Sequence, residues 1–262
     1  MRVKITICLR ILRSLRYTFP MENATLHIEM ITPVFPVYSL IVIASIIIGV
    51  IIACMIMFKA GLKRGTIIYT ALLTFVCILV CGLFFSAIIS GGKASWGFTG
   101  AGGVIGLLIG SFISLLIHRD HESETLISWI ISAPLMYGLS KSACHIVGCC
   151  HGIRYSNIGY VIYPSEGIPR FPVQLSETVI FLLIFGIGII LFFHVRRKII
   201  SAFIVETLCI IAKFSTDFLR QSHYESKNLL STNQITAIVC GAAAIIITII
   251  SDRLLNRKDK IS

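Results

Sequence analysis

Seven long apolar stretches divide the 262-residue chain and limit its fold more than any other feature. They run near residues 34–58, 66–90, 97–117, 125–147, 172–195, 199–221 and 234–252. A helix needs about 20 predominantly apolar residues to cross the hydrocarbon core of a bilayer. Only 13% of the residues are charged, against about a quarter in soluble domains, which excludes an ordinary soluble enzyme and a disordered protein. The sequence therefore predicts an all-α polytopic membrane protein with about seven transmembrane helices.

The net charge of +11 and the nine cysteines have ordinary explanations in such a chain. Lys and Arg are enriched in the cytoplasmic loops of membrane proteins, so the charge does not indicate nucleic-acid binding, and no nucleic-acid partner is expected. A cysteine inside an apolar stretch behaves as a small hydrophobic residue. Five of the nine are of this kind: Cys54, Cys77, Cys81, Cys209 and Cys240. A disulfide framework is therefore not expected.

The positive charges between the apolar stretches predict the orientation, because cytoplasmic loops carry the excess of Lys and Arg. Eleven lie on the side of the C-terminus: Lys59, Lys63, Arg64, Arg119, Arg196, Arg197, Lys198, Arg253, Arg257, Lys258 and Lys260. Five lie on the other side: Lys93, Arg154, Arg170, Arg220 and Lys227. The C-terminus is therefore predicted in the cytoplasm. With an odd number of spans, the first helix begins outside.

The chain is predicted to form one membrane domain with two basic ends. Residues 31–255 make up the seven-helix domain, and residues 256–262 a basic cytoplasmic tail. Residues 1–30 form a basic N-terminal extension, in which four Arg share one face of a helix and apolar residues share the other. Such a helix can lie on an anionic membrane surface. The alternative is that translation starts at Met21 or Met30, so that the extension is not made.

Under this orientation, five helices bring their unusual residues to the outer membrane face. They are Tyr38 in the first helix; Gly102 and Gly103 in the third; Lys141, Cys144, His145, Gly148, Cys149, Cys150, His151 and Gly152 at the end of the fourth; Gln174 and Glu177 in the fifth; and Lys213, Asp217 and Arg220 in the sixth. Ionisable groups at the centre of a span cost about 2.5–3.5 kcal/mol on insertion scales, and therefore usually mark function. Lys213 and Asp217 are four residues apart, which favours an ion pair between them.

Two groups of these residues have alternative interpretations. The glycines at 97, 100, 102, 103 and 106 either let helices pack closely or expose backbone N–H groups to an anionic headgroup. The cysteines and histidines at 144–151 are ligand types that suit zinc or copper. Adjacent cysteines point in different directions on a helix, however, so the sequence predicts no metal site, and no cofactor is expected.

These residues, in this order, resemble the prolipoprotein diacylglyceryl transferase family over roughly residues 36–221. Residues 36–40 resemble its Tyr-Gly-Leu element, and residues 102–106 the end of its His-Gly-Gly-Leu-Ile-Gly element. Residues 140–152 are similar to the signature that begins Gly-Arg-Ile-Gly and ends, in many relatives, Gly-Cys-Cys-Tyr-Gly. Residues 171–177 resemble His-Pro-Ser-Gln-Leu-Tyr-Glu, and residues 213–220 resemble Arg-x-x-x-Glu-x-x-Arg.

The resemblance implies transfer of diacylglycerol from phosphatidylglycerol to the lipobox cysteine of a prolipoprotein, with release of glycerol phosphate. It implies a site at the outer face of the bacterial cytoplasmic membrane, with a phospholipid donor, a prolipoprotein acceptor and the bilayer as partners. The expected catalytic residues are Lys141, Lys213, His151 and Glu177. The expected substrate-binding residues are Tyr38, Gly102, Gly103, Cys144, Gly148, Gly152, Gln174, Asp217 and Arg220.

The chain departs from the family pattern at several site positions. Lys141 and Lys213 stand where the family has Arg. Lys keeps the positive charge but cannot form the bidentate hydrogen bonds that a guanidinium makes to phosphate. Ala101 stands where the family has a functionally important His, and Phe171 and Ser176 replace a His and a Tyr. Two other interpretations therefore stay open. One is a family member with another lipid donor or acceptor, and the other is an inactive paralogue that binds lipid or lipoprotein.

The missing His leaves the acceptor thiol without an assigned base. His145 and His151 are the nearest imidazoles in sequence to the signature. On a regular helix they lie on different faces, so at most one is expected to reach the site. His151 is the candidate, because it precedes Gly152 where the chain leaves the membrane. The alternative is that His151 is an ordinary interfacial residue.

Overall fold

Seven long helices dominate the part of the chain that the computed structural model describes, which comprises residues 28–29, 36–89, 98–117, 122–163, 167–225 and 229–258. They are α1 (Pro36–Lys59), α2 (Arg64–Ile89), α3 (Gly100–Ile117), α4 (Glu122–Val147), α5 (Val173–His194), α6 (Lys198–Asp217) and α8 (Thr232–Lys258). A short helix, α7 (Gln221–Glu225), follows α6. The predicted N-terminal surface helix lies outside the described residues, apart from 28–29.

Six of the described helices are long and apolar enough to cross a bilayer. They are α1, α2, α3, α5, α6 and α8. The protein is therefore an all-α polytopic membrane protein, as the apolar stretches predict. The helix α4 is also long enough, at 26 residues, but it is more polar than the other six. That α4 spans the membrane stays a prediction.

The polarity of α4 follows from its central position. It packs against α1, α3, α5, α6 and α8, and every residue from 125 to 132 is buried. A helix that other helices shield from lipid does not need an apolar surface on every side. Its hydroxyls bond within the helix, as Ser128 donates to the Glu124 carbonyl at 2.6 Å and Ser132 to the Trp129 carbonyl at 3.0 Å. A polar helix in this position is compatible with a membrane protein.

A small sheet covers the end of the bundle where α4 ends and α5 begins. Strand β2 (Val161–Ile162) pairs in parallel with β1 (Ile28–Glu29) and antiparallel with β3 (Pro169–Arg170). An isolated bridge joins Gly152 to Arg220, so the segment after α4 is also tied to the end of α6. These pairings bring the ends of α4 and α6 and the start of α5 together.

The end of α4 is set by Gly148. Its φ of +67° lies in the left-handed region, which Gly adopts without steric cost. Its N–H donates to the His145 carbonyl, and the N–H of Cys149 donates to the Cys144 carbonyl, which together form a Schellman cap. A Cβ on Gly152 would lie 2.2 Å from the Phe171 carbonyl oxygen. Both glycines therefore have backbone roles, and substrate binding by them stays a prediction.

The glycines of α3 pack against α2. A Cβ on Gly102 would lie 2.4 Å from the Cys81 carbonyl oxygen, and one on Gly106 would lie 2.2 Å from that of Cys77. Small residues four apart allow this close approach in a membrane. The geometry supports the packing interpretation of these glycines. This packing geometry does not test the predicted binding roles of Gly102 and Gly103.

The orientation can be tested by labelling exposed loop positions. Asn157, between α4 and α5, is exposed. In intact cells, we expect Asn157→Cys to react with a membrane-impermeant maleimide, because the charge bias places this loop outside. Lys63→Cys, between α1 and α2, should react only after the cells are permeabilised. Both variants require Cys150→Ser, which removes an exposed native thiol. The reverse labelling pattern would overturn the predicted orientation.

Candidate functional site

A buried carboxylate near the start of α5 lies at the centre of the charged groups. The side chain of Glu177 is fully buried. Its Oε1 lies 2.9 Å from Lys213 Nζ, and its Oε2 lies 2.5 Å from Arg220 Nη2 and 3.6 Å from Lys141 Nζ. The Thr216 hydroxyl also donates to Oε1, at 3.1 Å. Lys141, Glu177, Lys213 and Arg220, called the Glu177 cluster below, connect α4, α5 and the end of α6.

The Glu177 cluster carries more positive than negative charge. Three cations surround one carboxylate, and Asp217, 3.8 Å from Arg220 Nε, offsets one further charge. The side chains of Lys141, Lys213 and Arg220 are only 12%, 18% and 5% exposed. Charges in such an environment are stable when they are paired and hydrogen-bonded. The surplus positive charge therefore suits an anionic ligand such as a phosphate group.

The aromatic ring of Tyr137 contacts the two ammonium groups of the Glu177 cluster. Lys141 Nζ lies 4.9 Å and Lys213 Nζ 5.6 Å from the ring centroid of Tyr137, within cation–π range. The ring packs on Phe181 of α5, with 4.4 Å between centroids. Its buried hydroxyl has no hydrogen-bond partner among the described residues. Tyr137 therefore orients both lysines and offers a hydroxyl to a ligand beside them.

The predicted ion pair between Lys213 and Asp217 is wrong, because both side chains have other partners. Lys213 pairs with Glu177. Asp217 accepts a hydrogen bond from the Ser231 hydroxyl at the start of α8 and lies 3.7 Å from Nδ1 of His223 in α7. The carboxylate of Asp217 therefore connects the end of α6 with α7 and α8.

Gln174 holds the segment that follows α4. Its Nε2 donates to the Cys149 carbonyl at 2.6 Å, and its Oε1 accepts a hydrogen bond from the Tyr163 hydroxyl at 3.1 Å. Gln174 and Tyr163 are both buried. Burial raises the pKa of Tyr163 to about 12, so its hydroxyl stays a proton donor at neutral pH. The geometry gives Gln174 a positioning role, and contact with substrate stays a prediction.

The two histidines of the signature segment lie beside the same aromatic ring. The centroid of His151 is 4.6 Å and that of His145 is 6.5 Å from the centroid of Tyr163. His145 is buried, and His151 is half-buried. Helical spacing does not separate the two histidines, since α4 ends at Val147 and His151 lies beyond that end.

The three cysteines of the same segment converge. The Sγ atoms of Cys144, Cys149 and Cys150 all lie within 4.8 Å of one another. The expectation that adjacent cysteines diverge is wrong here, because Cys149 and Cys150 lie beyond α4 and Cys150 has a left-handed φ of +59°. Tyr38 of α1 is close enough to Lys141 and Cys144 to interact electrostatically with both. The first helix therefore borders this part of the site, and substrate binding by Tyr38 stays a prediction.

Comparison with known proteins identifies the family of the chain. A model of the family described as prolipoprotein diacylglyceryl transferase matches residues 26–250, well over half of the chain. The chain belongs to this family. It is also 25% identical over 173 residues to the phosphatidylglycerol–prolipoprotein diacylglyceryl transferase 2 of Clostridium perfringens (strain 13 / Type A). That match covers 62% of this chain and spans 65% of the length of the relative.

Three residues that differ from the family pattern can be located in the structure. Lys141 and Lys213 both lie within 4 Å of Glu177, so they keep a positive charge at the positions where the family pattern has Arg. Phe171, where the pattern has His, packs edge-on against Tyr155, with 5.4 Å between centroids. The first two replacements therefore retain the charge of the site, whereas the third replaces a titratable group by an apolar one.

Four residues that contact the predicted site residues were missed in the sequence. Tyr137 could have been recognised from its spacing, since it lies one turn before Lys141 and therefore on the same helical face. Ser231 could have been recognised from the capping-box pattern that it forms with Gln234 at the start of α8. Thr216 and His223 had no such indication. The partner of Thr216, Glu177, is distant in sequence, and His223 meets Asp217 across the turn between α6 and α7.

Proposed function

We propose that the protein transfers a diacylglyceryl group from phosphatidylglycerol to the cysteine thiol of a prolipoprotein lipobox. The reaction would take place at the outer face of the bacterial cytoplasmic membrane, where the charge bias puts the end of α4. The observation that carries the proposal is the Glu177 cluster, in which three cations, each less than one fifth exposed, share one carboxylate. The name of the clostridial relative supports the choice of donor and acceptor.

The reaction demands two things that this site can supply. A thiolate sulfur forms a bond to the glyceryl carbon, and the bond from that carbon to the phosphate oxygen breaks. The electron pair leaves with glycerol phosphate, so negative charge grows on the phosphate oxygens. Fixed cations and hydrogen-bond donors next to these oxygens stabilise the transition state. The thiol proton must pass to a base.

The positions of the charged groups suggest a division of roles. Lys141, Lys213 and Arg220 bind the phosphate of the donor, and Tyr137 adds a hydroxyl. Glu177 acts as a positioning residue, because its two oxygens already accept from or pair with all three cations. Asp217 holds Arg220 from the other side. These roles give Glu177 no proton transfer of its own.

The base for the acceptor thiol has two candidates. A free thiol has a pKa of about 8.5, so it is mostly protonated at neutral pH. His151 is the candidate from the sequence and lies on the ring of Tyr163. His223 is the candidate from the structure, because Asp217 lies 3.7 Å from its Nδ1. A carboxylate beside an imidazole is the arrangement that supports a histidine base in known catalytic triads.

Single replacements distinguish the two histidines. We expect one of His151→Gln and His223→Gln to lower kcat about 10²- to 10⁴-fold, the range for loss of a general base. The other should change it little. Adding Ala101→His to the inactive variant should restore part of the activity, because it returns an imidazole to the family position. Unchanged turnover in both variants would show that neither histidine is the base.

Complementation tests the proposed function in cells. The chain is expressed in a strain depleted of its own diacylglyceryl transferase, and growth and lipoprotein maturation are followed. The proposal predicts restored growth and maturation, with Asn157→Ala as a control variant in an exposed loop. A folded, membrane-inserted protein that fails to complement would favour the other family interpretations, a different donor or acceptor, or an inactive lipid-binding paralogue.

A further inference from the structure

The thiols of Cys144, Cys149 and Cys150 form a compact group at the end of α4. Their Sγ atoms all lie within 4.8 Å of one another. In a tetrahedral zinc thiolate site, with Zn–S bonds of about 2.3 Å, the sulfur atoms are about 3.8 Å apart. Only a small movement of the side chains would therefore bring the three sulfurs to ligand distances.

The backbone around the three cysteines is held in place on both sides. The Schellman cap at Gly148 turns the chain at the end of α4, and Gln174 fixes the Cys149 carbonyl at 2.6 Å. Cys150 follows with a φ of +59°, a conformation that is strained for a residue with a Cβ. Such a conformation persists only where the surrounding structure fixes it, and it is concentrated at functional sites.

Two cations lie near this group of thiols, and the thiolate is the form of cysteine that binds metals. Lys141 is close enough to Cys144, and both Lys141 and Arg220 to Cys150, for attractive electrostatic interaction. Three thiolates carry a net charge of −1 with Zn²⁺ and −2 with Cu⁺, and the surplus positive charge of the Glu177 cluster lies close to that charge. In the part of the chain that the structure describes, this is the one such group of Cys, His, Asp or Glu side chains.

We propose that Cys144, Cys149 and Cys150 bind one thiophilic d¹⁰ metal ion, Zn²⁺ or Cu⁺. Thiolate sulfur selects these ions over Mg²⁺, Ca²⁺ and Mn²⁺, which prefer oxygen ligands. The three cysteines supply three ligands and leave a further coordination position open to solvent, because Cys150 is exposed. The bound ion would connect the end of α4 to the segment that carries His151. The proposal does not depend on the transfer reaction.

Metal titration of the full-length protein tests the site directly. The protein is purified in detergent under reducing conditions, stripped with a chelator, and titrated with Zn²⁺ or Cu⁺ against a chromophoric competitor for each ion. We expect one ion per chain for at least one of the two metals. Binding should raise the melting temperature. Cd²⁺ added as a spectroscopic probe should give a sulfur-to-metal charge-transfer band.

Serine variants assign the ligands. Cys150→Ser changes an exposed thiol and is the variant that disturbs folding least. We expect it to weaken binding at least about tenfold, the lower end of the loss that even an outer-shell change causes. Cys144→Ser and Cys149→Ser should do the same, while Cys240→Ser, in the membrane helix α8, should leave affinity unchanged. Absence of stoichiometric binding by the unaltered protein, or equal affinity in Cys150→Ser, would overturn the proposal.

Discussion

Glu177→Gln is expected to destabilise the folded protein by about 3–5 kcal/mol, the cost of removing one partner from a buried ion pair. The change leaves the three cations of the Glu177 cluster without the carboxylate that they share. Each of them has an exposed fraction below one fifth, so water cannot replace that carboxylate fully. The free energy of unfolding is measured by titrating the protein in mixed micelles with a denaturing detergent. Transfer activity should be lost with the change.

Glu206→Gln is the matched control for this prediction. Glu206 is also a buried carboxyl group in a membrane helix, and it accepts a hydrogen bond from Thr248 at 2.8 Å. A Gln side chain has a carbonyl oxygen that can accept the same bond, so a loss of about 1 kcal/mol is expected, the size of one hydrogen bond. Equal stability losses in the two variants would contradict a special role for the Glu177 carboxylate.

Lys141→Met and Lys213→Met are each expected to lower kcat for transfer about 10²- to 10³-fold, the usual cost of losing one preorganised group that stabilises transition-state charge. The protein should remain folded and inserted in the membrane, because Glu177 keeps its other cations. Lys→Arg at either position should retain or raise activity, since the guanidinium can bind a phosphate with two parallel hydrogen bonds. Initial rates with purified protein, lipid and peptide provide the measurement.

Lys198→Met controls for the loss of a lysine in general. Lys198 lies at the start of α6, at the opposite end of that helix from Lys213, with its Nζ 3.9 Å from Glu124. Because it is distant from the Glu177 cluster along the helix, its replacement should leave kcat unchanged. Full activity in both Lys141→Met and Lys213→Met would remove these lysines from the site.

The fold could be predicted largely from apolar length, because a bilayer requires it. The seven predicted stretches correspond to seven long helices among the described residues, with ends that differ by a few positions. The role of α4 could not be predicted in the same way. Its low hydropathy results from packing by five neighbouring helices, and no local pattern in the sequence shows which helix will be in the centre.

The candidate site could be predicted as a set of residues but not as a set of contacts. Helical spacing paired Lys213 with Asp217, whereas the structure pairs Lys213 with Glu177, 36 positions earlier in the chain. Helix geometry also predicted that the side chains of Cys149 and Cys150 point in different directions. That prediction fails because the helix ends at Gly148, before both cysteines. Both errors come from applying local helix geometry to contacts that tertiary packing decides.

The mass of a lipobox peptide tests the central claim most directly. The purified protein is incubated with phosphatidylglycerol in detergent micelles and a peptide that contains one lipobox cysteine, and the peptide is analysed by mass spectrometry. We expect a gain of one diacylglyceryl group on the cysteine sulfur, release of glycerol phosphate in equal amount, and strongly reduced product with Lys213→Met. An unmodified peptide after incubation with folded protein and phosphatidylglycerol would contradict the central claim.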